Sequence, residues 1–131
     1  MKENKLSIEI NRPVSKVFEF TTNPKKTPLW IDNIVSEERN ESPVRIGTEY
    51  KNVNKKGEWS TYKVVRLELN KIFELKQENS QYSVRYTYER ISNTKTKLTY
   101  HEWVEKGELE GPFTQDTMEK LKKIMEQPEK K

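Results

Sequence analysis

Tyr82, Val84, Tyr86 and Tyr88 fall on every second residue, so on a β-strand their side chains share one face. Three phenols on one face carry more hydroxyl than a dry core usually holds, because each buried hydroxyl needs a partner. The chemistry such a face offers is recognition, with rings to cover a ligand and hydroxyls to orient it. The alternative is that these hydroxyls reach water at the rim of a sheet or pair with backbone. The next extended segment splits into two faces: Leu98, Tyr100, Glu102 and Val104, or Thr99, His101 and Trp103. An even-length turn at Ser92 to Lys95 would set Tyr86 across from His101, and a one-residue slip would reverse the two faces. Apolar content favours the first set, which places Glu102 inside. A carboxylate in an apolar wall must pair, be hydrated or take up a proton. Glu102 is therefore a candidate to orient a ligand or act as acid or base, against a rim carboxylate bridged to Lys or Arg.

Other chemistries find less support. The chain has no Cys, which removes disulfides, thiolate nucleophiles and Cys-based metal sites together. His101 is the one histidine, and no Asp or Glu stands at a metal-ligand spacing from it, so no metal and no cofactor is expected. There is no nucleophile elbow, and Gly47 and Gly57 lack the clustering of a phosphate cradle. The net charge is +4 and the pI near 9.1. Lys and Glu nevertheless alternate without a block of like charge, and Lys25-Lys26, Lys55-Lys56, Lys120, Lys122 and Lys123 read as solvated faces. Nucleic acid is not an expected partner. No apolar run is long enough to span a membrane, and Met1 to Lys5 lacks the apolar core of a signal peptide, so a cytoplasmic location is expected.

The elements that must position these residues are legible as periodicities. With 131 residues and no Ala, the chain has room for one domain, expected over 1–127, whose core is built from rings and branched aliphatics. Residues 128–131 read as a frayed tail. Leu6, Ile8 and Ile10 alternate as a half-buried strand. Pro13 starts a helix whose face carries Val14, Val17, Phe18 and Thr21, and Asn23-Pro24 ends it. A short turn or helix from Pro24 ends on Trp30, read either as a core plug or as a ligand contact. Strands are predicted over Ile34 to Glu38, Val44 to Tyr50 with Gly47 allowing a bulge or a tight entry into the next strand, Glu58 to Leu69, Ile72 to Gln77, Tyr82 to Ile91 and Thr96 to Glu105. Trp59 opens the long strand, where it closes a mouth or packs on neighbours. Gly111-Pro112 introduces a terminal helix to Gln127, about 24 Å at about 1.5 Å per residue. Its Met118, Leu121, Ile124 and Met125 stripe makes Met118 and Met125 candidates for pocket lining or plain core.

The strand, the Pro-started helix and the Trp-bearing second turn, in that order, resemble the opening of the START-like or SRPBCC superfamily. Val44-x-Ile46-Gly47-Thr48 is similar to the start of that superfamily's third strand. Thr96-x-Leu98-Thr99-Tyr100 is similar to its final strand, with Lys95 where a Gly is often found. The resemblance implies an α+β helix-grip fold of about seven antiparallel strands around a C-terminal helix, in the order β-α-α-β-β-β-β-β-β-α. It also implies a cavity between sheet and helix for an apolar or aromatic small molecule, with no shared catalytic residues. The terminal helix is shorter than in many relatives, which implies a cavity that is small or open at one end. Trp30, Trp59, Tyr82, Tyr86, Tyr88, Tyr100, Glu102, Met118 and Met125 are the candidate ligand contacts. Two rivals remain at this point: a polyketide-cyclase-like cyclase, dehydratase or hydrolase using a pocket acid or base, and a protein-interaction module of the chaperone- or ribosome-associated kind.

Overall fold

The computed structural model describes residues 1–128, so 129–131 of the expected tail lie outside the described residues. Strand β1 (Lys2–Ile10) leads through Pro13 into α1 (Val14–Thr22), and the single turn α2 (Thr27–Trp30) follows. Six strands come next: β2 (Ile34–Arg39), β3 (Glu49–Asn54), β4 (Trp59–Glu68), β5 (Ile72–Gln77), β6 (Tyr82–Ser92) and β7 (Lys95–Val104). The last element is α3 (Gln115–Met125). All seven strands form one antiparallel sheet in the order β1-β7-β6-β5-β4-β3-β2, so each short turn joins neighbours and only β1 crosses to the far edge. This is the α+β helix-grip fold.

The sheet curls because its ladder is interrupted three times. One extra residue sits in β2 at Val35, in β4 at Val65 and in β6 at Ile91. A bulge bends its strand and moves the inward-facing set by one residue. All three bulged residues are exposed, and beyond them half-buried positions resume in β2 at Glu37 and in β4 at Leu67. At the β6–β7 hairpin the loop is Asn93-Thr94, an even length, with Ser92 paired to Lys95. The Ile91 bulge supplies the one-residue slip, so Tyr86 lies opposite Tyr100 rather than His101. Leu98, Tyr100, Glu102 and Val104 are consequently all buried.

Two expected elements are corrected. The strand predicted from Val44 starts only at Glu49, because Gly47 takes a φ of +96° and the Thr48 N–H closes a turn onto the Arg45 carbonyl. The terminal helix is also shorter, eleven residues rather than Pro112 to Gln127. Its lost first turn has a cause: the Phe113 N–H donates to the Glu102 carboxyl at 2.8 Å and the Phe113 carbonyl accepts from Asn4 Nδ2 at 2.8 Å. Those backbone groups are held by the sheet and cannot enter a helix. The α3 stripe of Met118, Leu121 and Met125 packs into the core, while α1 lays Phe18 edge-on against Tyr88 with ring centroids 5.0 Å apart.

Candidate functional site

Inside the curl lies a cavity of about 90 Å³. Its floor is the inner face of β3 to β7, with Tyr50, Tyr62, Phe73, Tyr86 and Tyr100 presenting rings. Its roof is Thr27 and Ile31 of the α2 region and Phe113 ahead of α3. Ile31, Ile34, Tyr62, Tyr82 and Phe113 also border an outer cleft of about 530 Å³, reaching the β5–β6 turn and the Lys106–Gly111 segment, which makes them the mouth.

Sequence reasoning missed the one carboxylate on the cavity wall, Glu37. Counting in twos from Ile34 puts Ser36 and Glu38 on the inner face. The Val35 bulge shifts the count, so Ile34 and Glu37 both line the cavity. Glu37 pairs across the ladder with Asn52, whose Nδ2 donates to Oε2 at 3.0 Å, and Thr27 Oγ1 donates to Oε1 at 2.6 Å. Burial raises its pKa above the ordinary value of 4.5, and these two hydrogen bonds oppose the rise without cancelling it. The same burial pushes the phenols up. Tyr62 reaches about 12, first through burial and then through the Glu37 and Glu102 carboxyls. Tyr86 rises well above 10, burial again leading. The hydroxyls are therefore protonated donors at neutral pH.

Tyr62 and Tyr86 both line the cavity, and among the described residues no hydrogen bond to another protein group holds either hydroxyl. The other phenols are partnered. Tyr50 donates to the Thr22 carbonyl at 2.7 Å, and Tyr82 donates to Glu102 Oε1 at 2.7 Å while lying 3.3 Å from the Tyr100 hydroxyl.

The expected contacts divide. Tyr82, Tyr86 and Tyr100 line the cavity. Tyr88 shares their face but its hydroxyl is tied to Thr21 Oγ1 at 2.6 Å, outside the lining. Trp30, 1% exposed, stands behind the wall, edge-on to Tyr86 and Phe113. Trp59 is 62% exposed and touches no part of the cavity, because it opens β4 with its side chain on the solvent side. Met118 and Met125 belong to the core, since the cavity sits against α2 and Phe113 rather than against α3. Glu102 is 1% exposed and neither on the rim nor bridged to a cation. It accepts from Asn4, Tyr82 and the Phe113 N–H, one layer behind the lining. His101 is on the outer face, 2.8 Å from Glu3.

Residues 1–127 match the family described as polyketide cyclase / dehydrase and lipid transport. The chain belongs to that family. Membership agrees with the SRPBCC or START-like resemblance and with the sheet and helix above. A comparison with curated proteins returns no match. Solved structures share the fold of this polyketide cyclase / dehydrase and lipid transport family member at low identity. XoxI from Bacillus cereus is 12% identical at a TM-score of 0.76, covering 95% of this chain and 96% of its own. The Aha1 dimer from Colwellia psychrerythraea is 16% identical at 0.62, covering 82% and 79%. The di-domain ARO/CYC BexL from the BE-7585A biosynthetic pathway is 15% identical at 0.65, covering 79% of this chain but only 36% of BexL. Among the described residues no helix is long and apolar enough to cross a membrane.

The raised pKa of Glu37 has a consequence for stability. The unfolded carboxyl loses its proton near 4.5 and the folded one at higher pH, so the folded state holds more protons in between. Stability therefore falls as pH rises through that interval. Glu37→Gln cannot ionise, and it is expected to unfold at higher temperature than the native protein under mildly alkaline conditions. The difference should shrink towards acidic pH. Thermal melts of both proteins across pH check this, and a variant less stable at alkaline pH would refute it.

Proposed function

We propose that the protein binds an aromatic or otherwise apolar small molecule, with one ring in the inner cavity and the remainder in the outer cleft. The observation that carries this reading is the ring-walled cavity with two unpartnered phenol hydroxyls and an open mouth at Tyr82 and Phe113. Burial of apolar ligand surface would supply the affinity, at about 25 cal/mol per Å². The inner volume of about 90 Å³ is well below the several hundred typical of drug-sized ligands, so it fits a single ring better than a lipid chain. The test is thermal shift and tryptophan emission against lipids, flavonoids, polyketides and single-ring aromatics. Trp30 backs two walls of the site and serves as the reporter. Ligand at about a hundred times its Kd is expected to add about 2.7 kcal/mol. Val84→Phe, which fills the cavity from β6, is expected to abolish the shift. A panel in which no compound raises the melting temperature would refute the reading.

A second reading, acid–base catalysis on the bound molecule, is favoured by one observation. Glu37 is a half-buried carboxyl on the cavity wall with a pKa raised by that burial, which suits general acid–base chemistry. Mass spectrometry of ligand recovered after incubation separates the two: an unchanged compound supports binding alone.

A further inference from the structure

The charge inventory of the cavity is one-sided. Among the residues lining it, Glu37 is the one carboxylate, and no Lys, Arg or His joins it. Its two partners, Thr27 and Asn52, are neutral. Arg39 stands two residues along the same face of β2, but its guanidinium donates to the Thr22 carbonyl, the Tyr50 hydroxyl and Ser42 Oγ. A carboxylate taken out of water without a cation is unfavourable, and a cation arriving with the ligand would relieve it. The surroundings suit a cation as well. Aromatic faces attract an ammonium group through their quadrupole, and the Tyr62 and Tyr86 oxygens have free lone pairs for its N–H bonds.

We propose that the head group recognised here is a small protonated amine, held by the Glu37 carboxylate within the tyrosine-lined box. This rests on the ligand-binding reading above and names the ligand class it takes. An acid would be repelled by Glu37. A quaternary ammonium would fill the box but offer no N–H to the carboxylate or to either phenol oxygen.

Benzylamine, benzyl alcohol and toluene have nearly the same shape and differ in the head, so calorimetric titration of the full chain with each, near neutral pH, isolates the head group. Benzylamine is expected to bind about tenfold tighter than the other two, the effect of one charge-assisted hydrogen bond. Glu37→Gln is expected to remove that advantage while leaving toluene affinity unchanged, which also shows that the variant is folded. Tyr62→Phe, which keeps the ring and loses the oxygen, is expected to weaken benzylamine by a few-fold and toluene not at all. Equal affinities for the three compounds, or a preference that survives Glu37→Gln, would overturn the amine inference and leave the ligand-binding reading standing. Failure of all three to bind the native protein would count against both.

Discussion

Glu102→Ala is expected to lower stability by about 3 to 5 kcal/mol, a large share of the about 5 to 15 kcal/mol that holds a domain together. The reason is the number of donors that converge on one carboxyl. Asn4 Nδ2 at 2.9 Å, the Phe113 N–H at 2.8 Å and the Tyr82 hydroxyl at 2.7 Å all end on Glu102. Truncation leaves three donors in a region the structure keeps nearly dry, and each unsatisfied buried group costs about 1 to 3 kcal/mol. Glu102→Gln is expected to cost far less. The amide oxygen can accept from Asn4 and Phe113, and the Tyr82 hydroxyl can turn to accept from the amide nitrogen. Denaturant titration of both variants checks the contrast. Equal losses would mean that the carboxyl matters for something other than receiving these donors. Hydrogen exchange adds a local reading: in Glu102→Ala the Phe113 amide should lose protection first, loosening the mouth of the cavity.

Trp30→Ala is the second large effect, expected at about 3 to 5 kcal/mol, the range for removing a large buried ring. Trp30 is 1% exposed and meets Tyr86 and Phe113 edge-on, at 6.4 Å and 5.8 Å between ring centroids. Its indole Nε1 is buried without a hydrogen-bond partner, so the ring contributes through packing and not through its polar atom. Trp30→Phe should therefore retain much of the stability, losing volume but also an unsatisfied N–H. The void left by Ala would adjoin the cavity between Tyr86 and Phe113. Indole is expected to raise the melting temperature of Trp30→Ala by more than that of the native protein. Absence of that rescue would show that the surrounding rings collapse into the space.

The fold was legible in the sequence because each element announces itself locally. Pro13 and Asn23-Pro24 bracket α1, and alternation marks β1, β5, β6 and β7. The tyrosine strand was equally plain, and Tyr82, Tyr86 and Tyr100 line the cavity. The remaining wall was hidden for a physical reason. Alternation predicts a face only while the ladder is regular, and β2 breaks at Val35, so Glu37 and not Glu38 turns inward. The spacing of Ile34 to Glu37 and of Val64 to Leu67, three instead of two, was the available signal. Phe113 escaped because Gly111-Pro112 reads as the start of a helix. Its backbone is instead claimed by Asn4 and Glu102, residues far away in the chain. Trp59 shows the converse: a large ring at a strand start carries no information about which way the strand faces.

The three bulges separate two properties that a regular sheet would tie together. Deleting Val35, Val65 or Ile91 would restore one-to-one pairing on either side of the gap while leaving the same side chains pointing inward. The strand would straighten, because the bend comes from the extra residue. Single-residue deletions at these exposed positions would thus resize the cavity without rewriting its walls.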